Sequence, residues 1–183
     1  LLICCVTYGH LPHHMRLLRM AFSRFMITFA ATWFYSGKSP KAPGTAGSFA
    51  ALPFGWLIWA YGGNTALIIA SIAVFAVGIW VAHLYSNMLG IHDAGEIVID
   101  EVVGQWMCLL VVPLGAVWMD AVWLLIAFLA FRIFDVIKPW PIRWVDRRVG
   151  GGFGIMFDDV LAGVFAMIAL VGVVYLTGDL TGS

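Results

Sequence analysis

Charged residues are scarce in this sequence, since Asp, Glu, Lys and Arg together account for only 11% of its 183 residues. Ten acidic and ten basic residues balance, and no basic patch suggests a nucleic-acid partner. The three cysteines, Cys4, Cys5 and Cys108, lack the spacing of a zinc site and make a poor disulfide framework. Internal repeats and low-complexity tracts are also missing, which excludes repeat architectures.

Apolar residues are what the sequence has in excess: 62% of the chain is hydrophobic, compared with about 45–50% in a soluble globular domain. They gather into five runs, each near the ~17–25 residues that cross a bilayer. None of the runs has a polar stripe, so a soluble helical protein is disfavoured. The sequence therefore predicts an all-α, polytopic membrane helix bundle of about five transmembrane helices, at 45–61, 64–82, 98–118, 121–137 and 160–177.

The residues before the first run form a less regular region. Residues 22–36 are apolar but few, and suit a short interfacial or re-entrant helix. Residues 1–20 stay unassigned, as an extension that is either disordered or an artefact of the chosen start, with Met15 and Met20 as alternative starts. The length favours a single membrane-embedded domain, which we place at residues 21–183.

The basic residues indicate an orientation in the membrane. Lys and Arg precede the first run and follow the fourth, whereas the short connections at 62–63 and 119–120 carry none. The positive-inside rule then places the N-terminus in the cytoplasm and the C-terminus outside. With five crossings, three charged stretches fall at the cytoplasmic face, namely 37–48, 92–101 and 132–159.

The last of these stretches is the richest in charge. Arg132, Asp135 and Lys138 recur every third residue and share one helix face. Arg132 lies about 9 Å inside the helix end, where an unpaired ion would cost on the order of 2.5–3.5 kcal/mol. Two interpretations stay open: a structural Arg132–Asp135 pair, or a cationic cradle for an anion in which Asp135 is available to a metal.

The middle stretch, HDAGEIVIDEVVGQW, is acidic. His92, Glu96 and Asp100 are four residues apart and Glu101 follows directly. One helix face could therefore present several oxygen ligands to a hard cation such as Mg²⁺. For His92 and Asp93, a solvated loop is the alternative.

Two further features lie at helix starts. Asp158 and Asp159 open the fifth run, where the helix dipole alone also favours acids. In SPKAPGTAGS, residues 39–48, Thr45 and Ser48 follow a Pro–Gly pair whose exposed backbone N–H groups would make an anion site. The GxxxxGK[ST] spacing of a nucleotide-binding loop is absent.

Three blocks of the sequence together resemble the phosphatidylglycerophosphatase A family of bacterial lipid phosphatases: PKAPGTAGS, HDAGEIVIDEVVGQW and FRIFDVIKPWPIRWVDRRVGGGFGIMFDDVLAG. The resemblance runs from about residue 33 to 175 and is most specific in the third block, which includes Asp146. It implies an Mg²⁺-dependent, multi-pass enzyme of the bacterial inner membrane with its active site facing the cytoplasm. Its reaction would remove the terminal phosphate of phosphatidylglycerophosphate, in phosphatidylglycerol and cardiolipin biosynthesis. Lipids would be its partners, and no oligomeric state is implied.

The resemblance and the residue chemistry together divide the site residues into two groups. The catalytic carboxylates and metal ligands are Asp100, Glu101, Asp135, Asp158 and Asp159. The substrate is bound by Thr45, Ser48, Arg132, Lys138, Arg143 and Asp146, with the basic residues neutralising phosphoryl oxygens. The nucleophile is either a water activated by the metal or an aspartate that forms a phospho-enzyme. Arg147 and Arg148 are expected to meet anionic headgroups or to set topology.

Two other classes of membrane protein also place charge within apolar helices. A small anion transporter usually carries its charges near the midplane and often shows repeated halves. A CDP-alcohol phosphotransferase uses carboxylates and metal, but its D-G-x2-A-R…G-x3-D-x3-D signature is missing here. The DxDx[TV] and Cys-x5-Arg motifs of other phosphatases are missing as well. A lipid phosphatase is therefore the preferred function.

Overall fold

The computed structural model describes residues 13–91, 94–115 and 117–178, and every regular element in these ranges is helical. The helices are α1 His13–Ala31, α2 Pro43–Leu89, α3 Ile99–Leu109, α4 Val117–Ile137, α5 Ile142–Arg148 and α6 Gly151–Thr177, with a short 3-10 helix at Ser36–Lys38. The all-α class that the sequence predicts is thus confirmed over the described residues.

α2 consists of two helices that run in opposite directions. Its backbone breaks at Gly63, where φ is 64° and ψ is −166°, a conformation that glycine adopts without steric penalty. The first half runs parallel to α3. Gly47 lies against Val98, immediately before α3, and Gly55 lies against Trp106 further along it.

The second half of α2 returns along α3 in the opposite direction. Near its start, the Asn64 side-chain amide donates to the carbonyl oxygen of Leu110, 3.2 Å away and just beyond α3. Near its end, Tyr85 Oη donates to the Glu96 carboxylate, 2.6 Å away and just before α3. The first two apolar runs are therefore separate helices joined at residues 62–63, as the sequence predicts.

The third apolar run, 98–118, does not form one transmembrane helix, so that prediction is wrong. α3 ends after 11 residues, which span about 16 Å, roughly half of the hydrocarbon thickness. Irregular backbone follows, because Pro113 has no N–H with which to continue a helix. The N–H of Gly115 donates instead to the Asp120 carboxylate, 2.7 Å away, which fixes this connection.

The predicted connection at residues 119–120 is wrong as well. α4 begins at Val117, so both residues lie inside its first turn. Asp120 Oδ2 also accepts a hydrogen bond from Trp56 Nε1, 2.9 Å away. An acid that the sequence analysis placed in a loop therefore ties α4 to the first half of α2.

The short helix predicted at residues 22–36 differs from α1, which is longer, ends at Ala31 and is followed by a reversal of the chain. Residues 33–35 all have positive φ, which turns the backbone sharply after α1. Trp33 packs edge-on against Trp106 within the bundle, with ring centroids 5.8 Å apart, while Gly37 lies against the backbone of Glu96. The chain therefore enters the bundle and returns to the end from which it came.

The start of α1 differs from the boundary drawn from the sequence. The helix already begins at His13, so the predicted domain boundary after residue 20 falls inside it. The predicted extension also includes residues 1–12, which lie outside the described residues.

Glycines allow α6 to lie close to α2 and α3. A Cβ on Gly163 of α6 would be 3.1 Å from the Cα of Gly104 in α3. At the start of α6, a Cβ on Gly152 would collide with the carbonyl oxygen of Ile79 in α2. Small residues permit such close backbone packing between membrane helices.

Replacing Gly152 with Ala should destabilise the protein by about 1–3 kcal/mol, because the new methyl group would meet backbone that cannot move aside. The measurement is the thermal unfolding temperature of the purified protein in detergent. Gly172→Ala is the matched control, since it lies in the same helix with open space around its Cβ position. Equal unfolding temperatures for the two variants would contradict the close contact between α2 and α6.

Among the described residues, α2 and α6 contain helical stretches long and apolar enough to cross a membrane. Only 28% of the most apolar 18-residue stretch of each element is buried, so most of this apolar surface faces outward. Large apolar exteriors of this kind favour lipid over water, and the molecule is accordingly a membrane protein. The predicted count of five transmembrane helices is not confirmed, because α3 is short and α4 carries Asp120, Arg132 and Asp135.

Candidate functional site

The first residues of α2, α3 and α6 and the last residues of α4 meet at one end of the bundle, which we call the polar end. Gly44, in the first turn of α2, lies against the Glu101 carboxylate of α3 and near Arg132 of α4. The backbone of Asp159, from α6, lies beside Gly104 of α3. Parts of all three charged stretches are therefore neighbours in the fold.

Arg132 joins three of the four elements at the polar end. Its Nη1 lies 2.5 Å from Asp135 Oδ2 and 3.3 Å from Glu101 Oε1. Ser48 Oγ donates to Glu101 Oε2 over 2.8 Å and accepts a longer hydrogen bond of 3.4 Å from Arg132. The Arg132–Asp135 pair anticipated from the sequence is present, and it is part of a wider network that includes Glu101 and Ser48.

Lys138 bridges α5 and α6. Its Nζ lies 2.6 Å from Asp146 Oδ1 and 2.5 Å from Asp158 Oδ2. Burial alone would lower the pKa of Lys138, but the two carboxylates outweigh burial and raise it. Burial alone would likewise raise the pKa of Asp146, but the hydrogen bond from Lys138 holds it below its usual range. An anion that binds here must share the ammonium group with both acids.

Buried carboxylates outnumber the basic groups beside them. Asp100, Glu101, Asp158 and Asp159 are between 3% and 8% exposed. Asp159 lies close enough to the other three, and to Asp135, to experience their charges, and we call these five carboxylates the acid group. Arg132 pairs with Glu101 and Asp135, and Lys138 pairs with Asp158. Burying several carboxylates together is costly, so the group favours an additional cation.

The donor chemistry of this group fits Mg²⁺, which prefers carboxylate oxygens. Asp159 Oδ2 is buried and has no hydrogen-bond partner among the described residues, so it is available as a ligand. However, no three His, Cys, Asp or Glu side chains in the described ranges lie close enough together to hold a metal ion as they stand. The chemistry and the burial of these oxygens therefore fit Mg²⁺, whereas their spacing does not yet form a metal site.

The predicted helix face of His92, Glu96 and Asp100 does not exist. α3 begins only at Ile99, so Glu96 and Asp100 do not share a helix. Glu96 turns away to Lys38, 2.5 Å from its carboxylate, and this hydrogen bond lowers the pKa of Glu96 and raises that of Lys38. His92 and Asp93 lie outside the described residues. Glu96 thus anchors the 3-10 helix and contributes no ligand to the acid group.

Two predicted substrate-binding residues lie at the edge of the polar end. Thr45 is exposed on the first turn of α2. Arg143 Nη2 donates to the carbonyl oxygen of Ile137 over 3.1 Å, which turns it toward a surface cavity beside α5. In the described residues, neither forms an ion pair with the buried carboxylates.

Gln105 is a polar residue that the sequence analysis passed over. It is fully buried one helical turn beyond Glu101, and neither atom of its amide has a hydrogen-bond partner among the described residues. An unsatisfied buried amide costs about 1–3 kcal/mol, so packing alone does not account for it. The signal in the sequence is a single amide in an otherwise apolar segment after Glu101.

Fold and site together define a helical membrane protein with a buried, carboxylate-rich site at one end, a class suited to chemistry on charged groups at the membrane surface. The family model for phosphatidylglycerophosphatase A matches residues 29–174. The chain belongs to the phosphatidylglycerophosphatase A family.

Two relatives carry the name of this family, and a third carries another name. A phosphatidylglycerophosphatase A of Escherichia coli is 40% identical over 148 residues, covering 81% of each chain. A protein of the same name from Haemophilus influenzae is 38% identical, covering 81% of this chain and 89% of the relative. A protein of Bacteroides thetaiotaomicron, provisionally named as a phosphatidylinositol-3-phosphatase, is 41% identical, covering 80% and 92%. No solved structure matches the chain significantly.

Proposed function

We propose that this protein is a lipid phosphatase that hydrolyses the terminal phosphate monoester of phosphatidylglycerophosphate, releasing phosphatidylglycerol and inorganic phosphate. Membership of the phosphatidylglycerophosphatase A family supports this reaction. The observation that carries the proposal is the buried group of carboxylates around Arg132 and Lys138 at the polar end. A phosphate monoester needs cations to bind it and acids to manage the proton transfers of hydrolysis.

The residues of the site divide the chemical work. Hydrolysis breaks the bond between phosphorus and the bridging oxygen, and that oxygen leaves on the lipid as an alcohol after taking up a proton. Arg132 and Lys138 stabilise the charge on the phosphoryl oxygens. A buried carboxylate either takes the proton of the attacking water, or attacks phosphorus itself and forms an acyl phosphate that water then hydrolyses to inorganic phosphate. Hydroxylamine trapping of the quenched enzyme separates these routes, because only the second forms an acyl phosphate.

Mg²⁺ is the proposed cofactor. It would be held, directly or through water, by Asp100, Glu101, Asp135, Asp158 and Asp159. Bound there, it would supply positive charge that stabilises the phosphoryl oxygens. A readout that does not depend on activity is the thermal unfolding temperature, which added Mg²⁺ should raise because it binds the folded state. An unchanged unfolding temperature at millimolar Mg²⁺ would contradict this site.

The test of the proposed reaction is phosphate release by the purified protein, with and without Mg²⁺. Phosphatidylglycerophosphate, phosphatidylinositol 3-phosphate and phosphatidic acid should be compared at equal surface fractions in detergent micelles. We expect the highest kcat/KM with phosphatidylglycerophosphate. A preference for phosphatidylinositol 3-phosphate would instead favour the activity named for the Bacteroides relative.

We further propose that the chain crosses the bacterial inner membrane five times, with the polar end in the cytoplasm. The two halves of α2, then α3 with its irregular continuation, α4 and α6 would provide these crossings. The concentration of Arg and Lys around α5 supports this orientation.

Cleavage by trypsin should report this orientation. Arg147 and Arg148 should be accessible only from the cytoplasmic side of oriented vesicles, and a tag placed after Ser183 only from the periplasmic side. Exposure of residues 138–158 on the periplasmic side would contradict a cytoplasmic site.

Replacing Gly44 with Ala should reduce kcat about tenfold or more, since misplacing a site group by about 1 Å is costly in catalysis. The new Cβ would collide with Glu101 Oε1 and lie 3.1 Å from Arg132 Nη1. Because the colliding atom ends a flexible side chain, the fold should survive and the unfolding temperature should change little. Gly95→Ala, with open space at its Cβ position, is the control. Unchanged phosphate release by Gly44→Ala would show that Glu101 is not part of the catalytic site.

A further inference from the structure

A cavity of about 430 Å³ lies between the end of α4 and α5, and its lining is unusually basic. Four of its lining residues are cationic and two are tryptophans: Lys138, Arg143, Arg147, Arg148, Trp140 and Trp144. No carboxylate is among the residues that line it. This is the reverse of the buried acid group, so the two sites favour different ligands.

The positions of the basic side chains around the cavity are partly fixed. Arg143 is held by its hydrogen bond to the carbonyl oxygen of Ile137, 3.1 Å away. The Arg148 guanidinium lies over the Trp144 ring, 5.9 Å from its centroid, in a cation–π arrangement. Planar guanidinium groups bind two oxygens of a phosphate at once. The cavity therefore presents guanidinium groups, two of them held in place, that can donate hydrogen bonds to a phosphate.

The tryptophans place the cavity at the surface of the bilayer. Trp140 is 80% exposed and Trp144 is 51% exposed. Exposed tryptophans of membrane proteins concentrate at the level of the lipid headgroups, where their rings are partly in water. A ligand in this cavity is therefore at the depth of a phospholipid phosphate.

Lys138 forms a wall shared by this cavity and the acid group. It lines the cavity, and its ammonium group lies 2.5 Å from Asp158 Oδ2. A ligand that extends from one site to the other would pass Lys138. The two sites together therefore suit a molecule with two phosphates a short distance apart.

We infer that this cavity binds the phosphodiester of the lipid substrate, while the monoester that is hydrolysed lies at Arg132 and the buried acids. The inference rests on the proposed function, because phosphatidylglycerophosphate carries both groups, separated by one glycerol unit. The diester bears a single charge and does not react, so it needs cations and no acids. Arg143, which the sequence predicted to neutralise the phosphoryl group that is hydrolysed, is therefore assigned to the diester instead.

Selectivity between lipids follows from this arrangement. Phosphatidic acid has a monoester joined directly to diacylglycerol and no diester, so it leaves the cavity empty when its phosphate reaches the buried acids. A substitution that removes a contact with the diester therefore weakens the binding only of substrates that carry a diester. The cavity selects lipids that carry a monoester beyond a diester.

The test compares Arg143→Gln and Arg147→Gln with the wild-type enzyme on phosphatidylglycerophosphate and on phosphatidic acid. With phosphatidylglycerophosphate, KM should rise about tenfold, the effect of losing one charge-assisted hydrogen bond, while kcat changes less than about twofold. With phosphatidic acid, both constants should change less than about twofold. Arg24→Gln, which removes an exposed cation on α1 outside the cavity, should match the wild type on both lipids. An equal loss on the two lipids, or no loss on either, would overturn the inference.

A binding measurement separates this inference from the proposed reaction. Short-chain phosphatidylglycerol carries only the diester, and it should bind wild-type protein about tenfold more tightly than Arg147→Gln. Inorganic phosphate should not compete with it, because free phosphate resembles the monoester. Equal binding to both proteins, or displacement by inorganic phosphate, would overturn the diester site whether or not the enzyme hydrolyses phosphatidylglycerophosphate. Failure of the wild type to release phosphate would overturn the proposed reaction alone.

Discussion

Replacing Asp159 with Asn should reduce kcat for phosphate release by about a hundredfold or more, the usual effect of removing a preorganised charged group. Asp159 is 3% exposed, and its Oδ2 has no hydrogen-bond partner among the described residues. A carboxylate kept in so costly a position is expected to act on the metal or the substrate. Asp135→Asn and Asp158→Asn should behave similarly, because they belong to the same group.

Stability should move in the opposite direction from activity. Asp159→Asn replaces an acid whose ionised form is disfavoured by burial and by four neighbouring carboxylates, so the unfolding temperature without Mg²⁺ should be unchanged or higher. Asp120→Asn is the control, since Asp120 is equally buried but lies in the first turn of α4, at the opposite end of that helix from Arg132, and binds Trp56 and Gly115. That variant should lose stability and keep its kcat. Near-normal activity of the variants at 135, 158 and 159 would refute the acid group as the catalytic site.

Replacing Arg132 with Lys should reduce kcat by about tenfold to a hundredfold although the charge is kept. Arg132 Nη1 lies within 3.4 Å of Asp135, Glu101 and Ser48 together. A lysine ammonium on a flexible stem cannot reproduce this planar geometry while also binding phosphoryl oxygens. The measurement is steady-state phosphate release at matched protein concentration, with the unfolding temperature recorded in parallel.

Lys138→Arg is the reciprocal variant and should retain substantial activity. Its neighbours, Asp146 and Asp158, lie on either side of the ammonium group, and a guanidinium can bridge two carboxylates as well. If Arg132→Lys were as active as the wild type, Arg132 would be only a structural partner of Asp135.

The sequence predicted most reliably where a single residue type decides the local structure. Gly62 and Gly63 mark the reversal between the halves of α2, because glycine readily adopts the positive φ found at Gly63. Asp100, Glu101, Asp158 and Asp159 interrupt apolar runs, where charge is too costly to retain without a partner or a role. The order of the charged stretches predicted that these acids gather at one face of the bundle, and the structure places them near one another.

Predictions failed where hydrophobicity was uniform but the backbone was not. The run at 98–118 is apolar throughout, and hydropathy does not register that Pro113 and the Gly115–Asp120 hydrogen bond replace helix by an irregular connection. The spacing of four between His92, Glu96 and Asp100 likewise assumes that they share one helix. α3 begins only at Ile99, so Glu96 and Asp100 do not share it. The predicted ligand face shared by Glu96 and Asp100 is therefore absent, and Lys38 holds Glu96 elsewhere.

By itself, the sequence determined the helical class, the membrane environment, the family and the residue types of the site, because these depend on composition, local spacing and motif. Only the tertiary structure decided which charges are neighbours. Contacts such as Ser48 with Glu101 and Lys138 with Asp158 join residues far apart in the chain. The cavity beside α5 likewise depends on how the end of α4 packs against a separate short helix. Such partners are selected by packing at glycines and by the cost of leaving a buried ion unpaired, and neither is encoded in any one segment.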